Sequence, residues 1–193
     1  GMGSINEIKE SIKEVLKTNN QKIGLFHSIS SYPTPYNQTN MLAMQTMMEK
    51  FVFPIGYSDN GSDMIVPEVA ISLGAKLLEK HFTLDKKMKG PDHKLSASPI
   101  QMKELVQRVR QIEEIIGDGQ KKPQKCEMEG LIAIRRGIIT KKDLKKGETI
   151  TANSIKIARP AKGIEPKFFD KLIGRKILKN IPNNTPLKWN QIK

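Results

Sequence analysis

Two histidines and an acidic residue lie close together after an apolar, strand-like run in the first half of the chain. The run, 75–83, ends in Glu-Lys-His-Phe-Thr, which places His81 near its end. The loop that follows carries a Gly-Pro pair and then Asp92 and His93. Side chains of these types bind metals and substrates, and α/β enzymes collect them where strands end and loops begin. The spacing therefore predicts a metal-binding or substrate-binding site after this strand.

The elements that must position this loop alternate between helices and short apolar strands. Ser4-Ile5-Asn6-Glu7 is a capping box that begins a helix with apolar residues at helical spacing. Ser98-Pro99-Ile100-Gln101 begins another helix in the same way, and Gly117 ends it. Between these two helices the pattern predicts strands at 22–27, 54–58 and 75–83, and helices at 41–51 and 64–73. Buried strands that alternate with helices predict a parallel sheet or barrel.

The charge of the chain is divided unevenly along its length. Residues 1–118 hold equal numbers of basic and acidic side chains, so the whole formal net charge of +13 falls on 119–193. This shift indicates two units of different character. We expect an α/β domain at 1–118, a polar linker at 119–130 and a small, mostly-β domain at 131–193.

A weak internal repeat lies within the predicted β domain. Residues 146–155 and 183–192 each contain a turn, a strand-like run and then a cap-like polar residue that precedes an isoleucine. The repeat predicts a compact module with two pseudo-symmetric halves.

Composition limits the function further. There is no apolar run of about 18 residues and no signal segment, so we expect no membrane-spanning helix and a cytoplasmic location. The single cysteine, Cys126, excludes an internal disulfide and fits a reducing compartment. The basic region could attract nucleic acid, an anionic small substrate or an acidic partner. We interpret the pairs Arg135-Arg136 and Lys141-Lys142 as solvated faces and expect no specific nucleic-acid site.

Several segments, taken together, resemble motifs of the sialic acid synthase family. They are Gly1-Met2 with Glu7-Ile8, His27–Pro33, Gly56–Asp59, Glu79–Thr83, Gly90–Asp92, and Arg159-Pro160 with Gly163. The resemblance implies the C-terminal portion of a (β/α)8 TIM barrel, followed by an antifreeze-like (SAF, β-clip) domain. It also implies an enzyme that joins phosphoenolpyruvate to an N-acetylated hexose such as N-acetylmannosamine, forming a carbon–carbon bond for polysaccharide biosynthesis.

The resemblance also implies a divalent metal, Mn²⁺ or Mg²⁺, which polarises the sugar aldehyde. Family members hold it with two histidines, and one of them matches His81. The other position is Asn60 in this chain, and an amide oxygen can bind these hard cations but is a poorer ligand than imidazole for a softer metal. His81 would otherwise be a structural histidine.

The same resemblance implies a substrate pocket. Its substrate-binding residues are His27, Ser30, Tyr32, Ser58, Asp92 and Arg159, and Asp92 is also the catalytic residue. Ser30 replaces the asparagine of many members, and His27 is equally consistent with packing. Asp92 could instead cap its loop, and Arg159 could be one more surface cation.

The resemblance begins in the middle of the barrel, because nothing here matches the early strands that bind phosphoenolpyruvate. We therefore expect this chain to be inactive alone. Open parallel edges invite association, and the resemblance implies a homodimer in which the SAF domain contacts the neighbouring barrel through Arg159. The alternative hypothesis is a non-catalytic binding or association module with a basic SAF domain.

Overall fold

The computed structural model describes residues 1–193, which divide into two compact units at Gly1–Gly119 and Gln120–Lys193. The first unit is α/β, with a three-stranded parallel sheet in the order β1-β2-β3. Its elements are α1 (Ile5–Leu16), β1 (Leu25–Ser28), α2 (Leu42–Lys50), β2 (Ile55–Asp59), α3 (Ile65–Ser72), β3 (Leu77–Lys80) and α4 (Pro99–Ile116).

Capping chemistry explains where the two long helices of the first unit begin. The Ser4 hydroxyl accepts a bond from the Glu7 amide, and the Glu7 carboxylate accepts from the Ser4 amide. Ser98 and Gln101 form the same reciprocal pair before α4. Each box satisfies two amides that the first turn of a helix leaves unpaired. Both predicted capping boxes are confirmed.

The sheet has one face that packs on helices and one that is open. Strand residues alternate between faces, so Ile55, Tyr57 and Asp59 lie on one side and Gly56 and Ser58 on the other. The first side packs in the core of the unit with Met44, Met47, Val66 and Ala70. The open side carries Phe26 and Leu77, which stay 38% and 39% exposed. The strands therefore have a buried face and a face that other residues could cover.

The second unit is built around a short antiparallel pair. Its elements are α5 (Met128–Ile134), β4 (Gly137–Thr140), β5 (Ile155–Ala158) and α6 (Phe169–Leu172). β4 pairs with β5, and isolated bridges such as Leu144–Ile181 and Ile177–Ile192 join the loops. Ten buried aliphatic residues form its core. The unit thus has less regular strand than the mostly-β expectation, because half of its pairing consists of single bridges.

The internal repeat is visible in the backbone of the second unit. Gly147 and Asn184, at equivalent positions of the repeat, both adopt positive φ, at 86° and 53°. Glycine and asparagine are the residues that tolerate this conformation best. Ile150 and Leu187 are the matching apolar residues, and both are fully buried. The predicted pseudo-symmetry therefore holds at the turn and in the core.

The segment predicted as a polar linker, 119–130, contains a 3-10 turn and the start of a helix. Residues from Gln120 onward group with the second unit, and a 3-10 turn at Lys125–Glu127 leads into α5. The Gln124 and Glu127 side chains form a capping box at this turn, a local signal that the polar composition masked. No helix in the structure combines the length and apolar character needed to cross a membrane.

Candidate functional site

Three of the predicted site residues lie beyond the carboxyl ends of neighbouring strands. Ser58 pairs in register with Glu79, and Asp59 with Lys80. Asn60 directly follows Asp59 and His81 directly follows Lys80, so the two residues come after paired positions of neighbouring strands. Tyr32 lies in the loop after β1, which pairs with the other side of β2. Parallel strands place their carboxyl ends at one edge of the sheet, where α/β enzymes bind their ligands.

Tyr32 and Asp92 both approach His81. The Tyr32 ring meets the His81 ring edge-on, with 5.6 Å between the centroids. The Asp92 Oδ2 atom lies 4.0 Å from the Nδ1 atom of His81. Asp92 and Tyr32 remain more than half exposed, and His81 is about one-third exposed. The structure thus brings an imidazole, a carboxylate and a phenol together at a surface that a ligand can reach.

Backbone contacts hold the loop that carries Asp92. The Ser96 hydroxyl and amide both donate to the Asp92 carbonyl, at 2.7 and 3.1 Å. The Ala97 amide donates to the His81 carbonyl at 2.7 Å, which ties the end of the loop back to its start. His93 contributes within the loop, because its Nδ1 atom lies 2.8 Å from the Thr83 hydroxyl. These bonds fix the backbone around Asp92 next to His81.

Asn60 is held by its amide nitrogen. That nitrogen donates to the Ile29 carbonyl at 2.8 Å and to the Ser28 hydroxyl at 3.3 Å. The Asn60 backbone carbonyl accepts from the Thr34 amide at 3.2 Å. The side-chain oxygen, by contrast, takes part in no hydrogen bond. Asn60 is 4% exposed. The two bonds from its side-chain nitrogen fix the orientation of the side chain, and its side-chain oxygen is free to accept another bond.

These donors fit a hard divalent cation better than a zinc-like site. No group of three or more His, Cys, Asp and Glu side chains is arranged to hold a metal. One imidazole, one amide oxygen and one carboxylate remain at this edge, from His81, Asn60 and Asp92. Mg²⁺ and similar cations keep several water ligands and need few protein ligands. Donors of these types could hold a hard divalent cation such as Mn²⁺ or Mg²⁺ with a sphere completed by water, and metal binding here stays a prediction.

One carboxylate on the open face, that of Glu79, was not among the predicted site residues. The Ser58 hydroxyl donates to the Glu79 carboxylate at 2.7 Å, which joins β2 to β3. Glu79 is two residues before His81, so a strand over 75–83, as the sequence predicted, would have placed both side chains on the same face. The two-residue alternation along the predicted strand was the signal that could have identified Glu79. Ser58 itself lies on the open face, as a pocket residue requires.

The remaining predicted residues lie farther from this edge or in the other unit. His27 pairs with Tyr57 on the helix-packed face, 5.8 Å between ring centroids, and its Nε2 atom lies 2.9 Å from the Thr39 carbonyl. This position gives His27 a packing contact, and substrate binding by it stays a prediction. Ser30 is exposed in the loop after β1. Arg159 is exposed immediately after β5 in the second unit, and its contact with a substrate also stays a prediction.

The hydroxyl oxygen of Tyr57 is fully buried and has no hydrogen-bond partner. Burial raises the pKa of Tyr57 to about 12, and the nearby negative charge of Asp59 adds to the shift. A raised phenol pKa keeps Tyr57 neutral at physiological pH. Tyr57 is therefore a neutral residue of the core of the first unit.

Two clefts of about 640 Å³ flank the sheet. One lies at the amino end of β3, between α3 and α4, and is lined by Ala75, Leu105 and Val109. It is at the opposite end of the strand from His81. The other lies beside β1, next to the N-terminal residues, and includes His27 and Ser28. Neither contains the Tyr32, His81 and Asp92 cluster, which is an open surface.

Comparison with known proteins agrees with this architecture. The NeuB family model matches residues 1–121, and the SAF domain model matches residues 135–193. The N,N'-diacetyllegionaminic acid synthase of Campylobacter jejuni is 39% identical over 182 residues, covering 93% of this chain and 54% of that protein. The chain spans about half the length of the curated relatives it matches.

Solved structures give the same result. The N-acetylneuraminic acid (sialic acid) synthetase from Leptospira borgpetersenii shares 36% identity at a TM-score of 0.62, over 68% of this chain and 46% of that one. A spore coat polysaccharide biosynthesis protein E from Chromobacterium violaceum has the same fold at 20% identity, with a TM-score of 0.73 over 100% of this chain and 59% of that one. With most of its length matched by the family model, the chain belongs to the NeuB family and carries a SAF domain after its α/β unit.

Proposed function

We propose that this chain supplies the metal-binding edge and the SAF domain of a nonulosonic acid synthase. The observation that carries the proposal is the cluster of Tyr32, His81 and Asp92, with Asn60 beside it, at the carboxyl edge of the parallel sheet. Similar proteins are named as legionaminic, pseudaminic and sialic acid synthases. The proposed reaction joins phosphoenolpyruvate to an N-acetylated hexose and releases phosphate.

The proposed fold is the C-terminal portion of a (β/α)8 barrel. Three features support it: all three strands are parallel, helices cover one face, and the other face is open. In such a barrel the open face would point inward, so Ser58 and Glu79 would line the interior. Phe26 and Leu77 would be buried by the remaining strands. This arrangement explains why two large apolar residues are exposed beside a polar pair.

Each residue at the edge has a distinct proposed role. His81 and the Asn60 amide oxygen would hold Mn²⁺ or Mg²⁺, which when bound polarises the carbonyl of the sugar. Asp92 would accept hydrogen bonds from sugar hydroxyl groups and serve as the catalytic carboxylate. Tyr32, packed on the His81 ring, would orient that ring and form one wall of the pocket. Ser58 and Ser30 would donate hydrogen bonds to the substrates.

Arg159 has a proposed role that requires a second copy of the chain. Its guanidinium is exposed, and it would reach the N-acetyl group of a sugar bound to the neighbouring subunit. The formal net charge of +13 in the second half of the chain would also attract the anionic phosphoenolpyruvate. A homodimer with the SAF domain against the partner's barrel follows from this role.

The proposal is tested by phosphate release. The chain would be fused to the N-terminal half of the Campylobacter jejuni relative, which supplies the rest of the barrel. With Mn²⁺, phosphoenolpyruvate and an N-acetylated hexose, the fusion should release phosphate, while the unfused chain should not. His81→Ala and Asp92→Ala in the fusion should lower the rate by at least about 100-fold. Turnover by the unfused chain, or an unchanged rate in His81→Ala, would contradict the proposal.

One observation favours a second candidate function, a non-catalytic association module. β1 and β3 each pair with only one strand, so both outer edges of the sheet are unpaired. Light scattering of the 193-residue chain tests it, because a monomeric mass would contradict an association module. An oligomer fits both candidate functions, so the fusion assay distinguishes them. A fusion that folds and binds Mn²⁺ but remains inactive on every N-acetylated hexose tried would favour this candidate.

A further inference from the structure

A buried ion pair lies directly behind the candidate site. The Lys80 Nζ atom is 2.5 Å from the Asp59 Oδ2 atom, and the two side chains are 2% and 1% exposed. Both are last residues of their strands and are paired in register. Their side chains lie on the helix-packed face, opposite Ser58 and Glu79. The pair therefore takes no part in the open surface, and the proposed reaction does not use it.

The same two side chains also close the loop after β2. Asp59 Oδ1 accepts a hydrogen bond from the Gly61 amide at 2.9 Å, and Lys80 Nζ donates to the Gly61 carbonyl at 2.8 Å. Both polar groups of Gly61 are thus held by one ion pair. Asn60 lies between Asp59 and Gly61, and His81 directly follows Lys80. The network fixes the backbone on both sides of Asn60 and on one side of His81.

Stability alone is a weak reason for such a pair. Removing two charges from water is expensive, and replacing a buried ion pair by apolar residues of similar volume is often neutral or stabilising. A hydrogen-bonded pair does, however, specify one geometry, whereas apolar residues tolerate several. Asp59, Lys80 and Gly61 are joined by three hydrogen bonds. The two bonds to Gly61 form only when the loop after β2 adopts this position.

We propose that Asp59 and Lys80 are positioning residues that hold Asn60 and His81 in place at the candidate site. The inference rests on the proposed function for its consequence, metal binding, but the geometric part can be tested without a metal. Residues that orient the ligands of a metal typically change its affinity about 10-fold to 100-fold when they are replaced. The pair would act on the site only through the two residues that it holds.

The test compares two double variants of the 193-residue chain. Asp59→Val with Lys80→Met removes the buried pair while keeping apolar volume at strand positions. Glu68→Val with Arg108→Met is the matched control, because it removes an exposed ion pair, 2.8 Å long, from the same unit. Two measurements are made: exchange of the Thr34 amide, which bonds the Asn60 carbonyl at 3.2 Å, and Mn²⁺ affinity by calorimetry.

In the first variant we expect Thr34 exchange to rise at least about tenfold and Mn²⁺ affinity to fall about 10-fold to 100-fold, at a similar midpoint of thermal unfolding. The control should change neither. Unchanged Thr34 exchange in a folded variant would overturn the proposal. If wild-type chain binds no Mn²⁺ while Thr34 exchange still rises in the variant, the metal-binding part of the proposed function fails and the positioning role stands. If the first variant does not fold, Asp59→Asn with Lys80→Met replaces it, since the amide still accepts from Gly61.

Discussion

Gly56 occupies the one position in the sheet where the open face has no room for a side chain. It lies in the central strand, opposite Phe26 on one side and Leu77 on the other. A Cβ atom there would lie 2.5 Å from the Leu77 carbonyl oxygen, 2.6 Å from the Leu77 Cβ and 2.9 Å from the Phe26 ring. Two of these atoms belong to rigid parts of the neighbouring strand. Gly56→Ala must therefore separate β2 from β3.

The expected cost follows from those distances. Overpacking a well-packed region costs about 1–3 kcal/mol, and the shortest contact is to backbone, which places Gly56→Ala in the upper half of that range. The lower chain entropy of unfolded alanine returns about 0.4–1 kcal/mol. We expect a net loss of about 1–2 kcal/mol in the free energy of unfolding of the first unit. For a unit of this size that lowers the midpoint of unfolding by about 4–10 °C.

Two glycines provide graded controls. A Cβ on Gly24 would meet the flexible end of the Leu77 side chain at 2.8 Å, and a Cβ on Gly3 would meet nothing within 4 Å. Gly24→Ala should cost less than Gly56→Ala, and Gly3→Ala should be within about 0.5 kcal/mol of wild type. All three tyrosines lie in the first unit and the single tryptophan, Trp189, in the second, so near-ultraviolet circular dichroism of tyrosine follows the affected unit. Equal stabilities of Gly56→Ala and Gly3→Ala would refute the reasoning.

Three further predictions address other parts of the chain. Gly163→Ala should destabilise the second unit by about 1–3 kcal/mol, followed by tryptophan fluorescence, because its Cβ would lie 2.4 Å from the Ile138 carbonyl oxygen; an unchanged fluorescence midpoint would count against it. The pKa of Tyr57 is raised to about 12 in the fold, so folding favours its neutral form. Its contribution to the free energy of unfolding is therefore complete below pH 10 and is lost between pH 10 and 12. Tyr57→Phe should remove about 2–3 kcal/mol of that alkaline loss, and equal loss in both proteins would contradict the assignment. Ser98→Ala should cost about 1 kcal/mol through its cap on α4, and chemical denaturation showing no difference would argue against the capping box.

Local signals predicted the helices of the first unit well and the strand ends less well. Capping boxes at Ser4 and Ser98 set helix starts within one residue, because the bonds involved span only three residues. The strand predicted at 75–83 ends at Lys80 instead. Beyond that point His81 and Thr83 bond to Ala97, a partner more than ten residues away. No local pattern reports such a contact.

The residues of the candidate site also differ in how well the sequence predicted them. His81 and Asp92 could be proposed as site residues because they lie at a strand end and in a Gly-Pro loop, whereas Tyr32 was proposed only through the family resemblance. The buried partnership of Asp59 and Lys80 could not, since a lysine two residues before a phenylalanine gives no sign that its charge is 2% exposed. The sequence also could not predict on which face of the sheet His27 lies, because a four-residue strand has too few positions to show which side is buried.

The most direct test of the proposed metal-binding edge is a Mn²⁺ titration of the chain followed by histidine ring resonances. The protein has three histidines, so three ring systems can be assigned with His27→Gln and His93→Gln variants. Because Mn²⁺ broadens nuclei more strongly the nearer they lie, binding between His81, Asn60 and Asp92 should broaden the His81 signals at lower Mn²⁺ concentration than those of His27. Broadening of His27 before His81, or no broadening of His81 at millimolar Mn²⁺, would contradict a metal site at the carboxyl edge of this sheet.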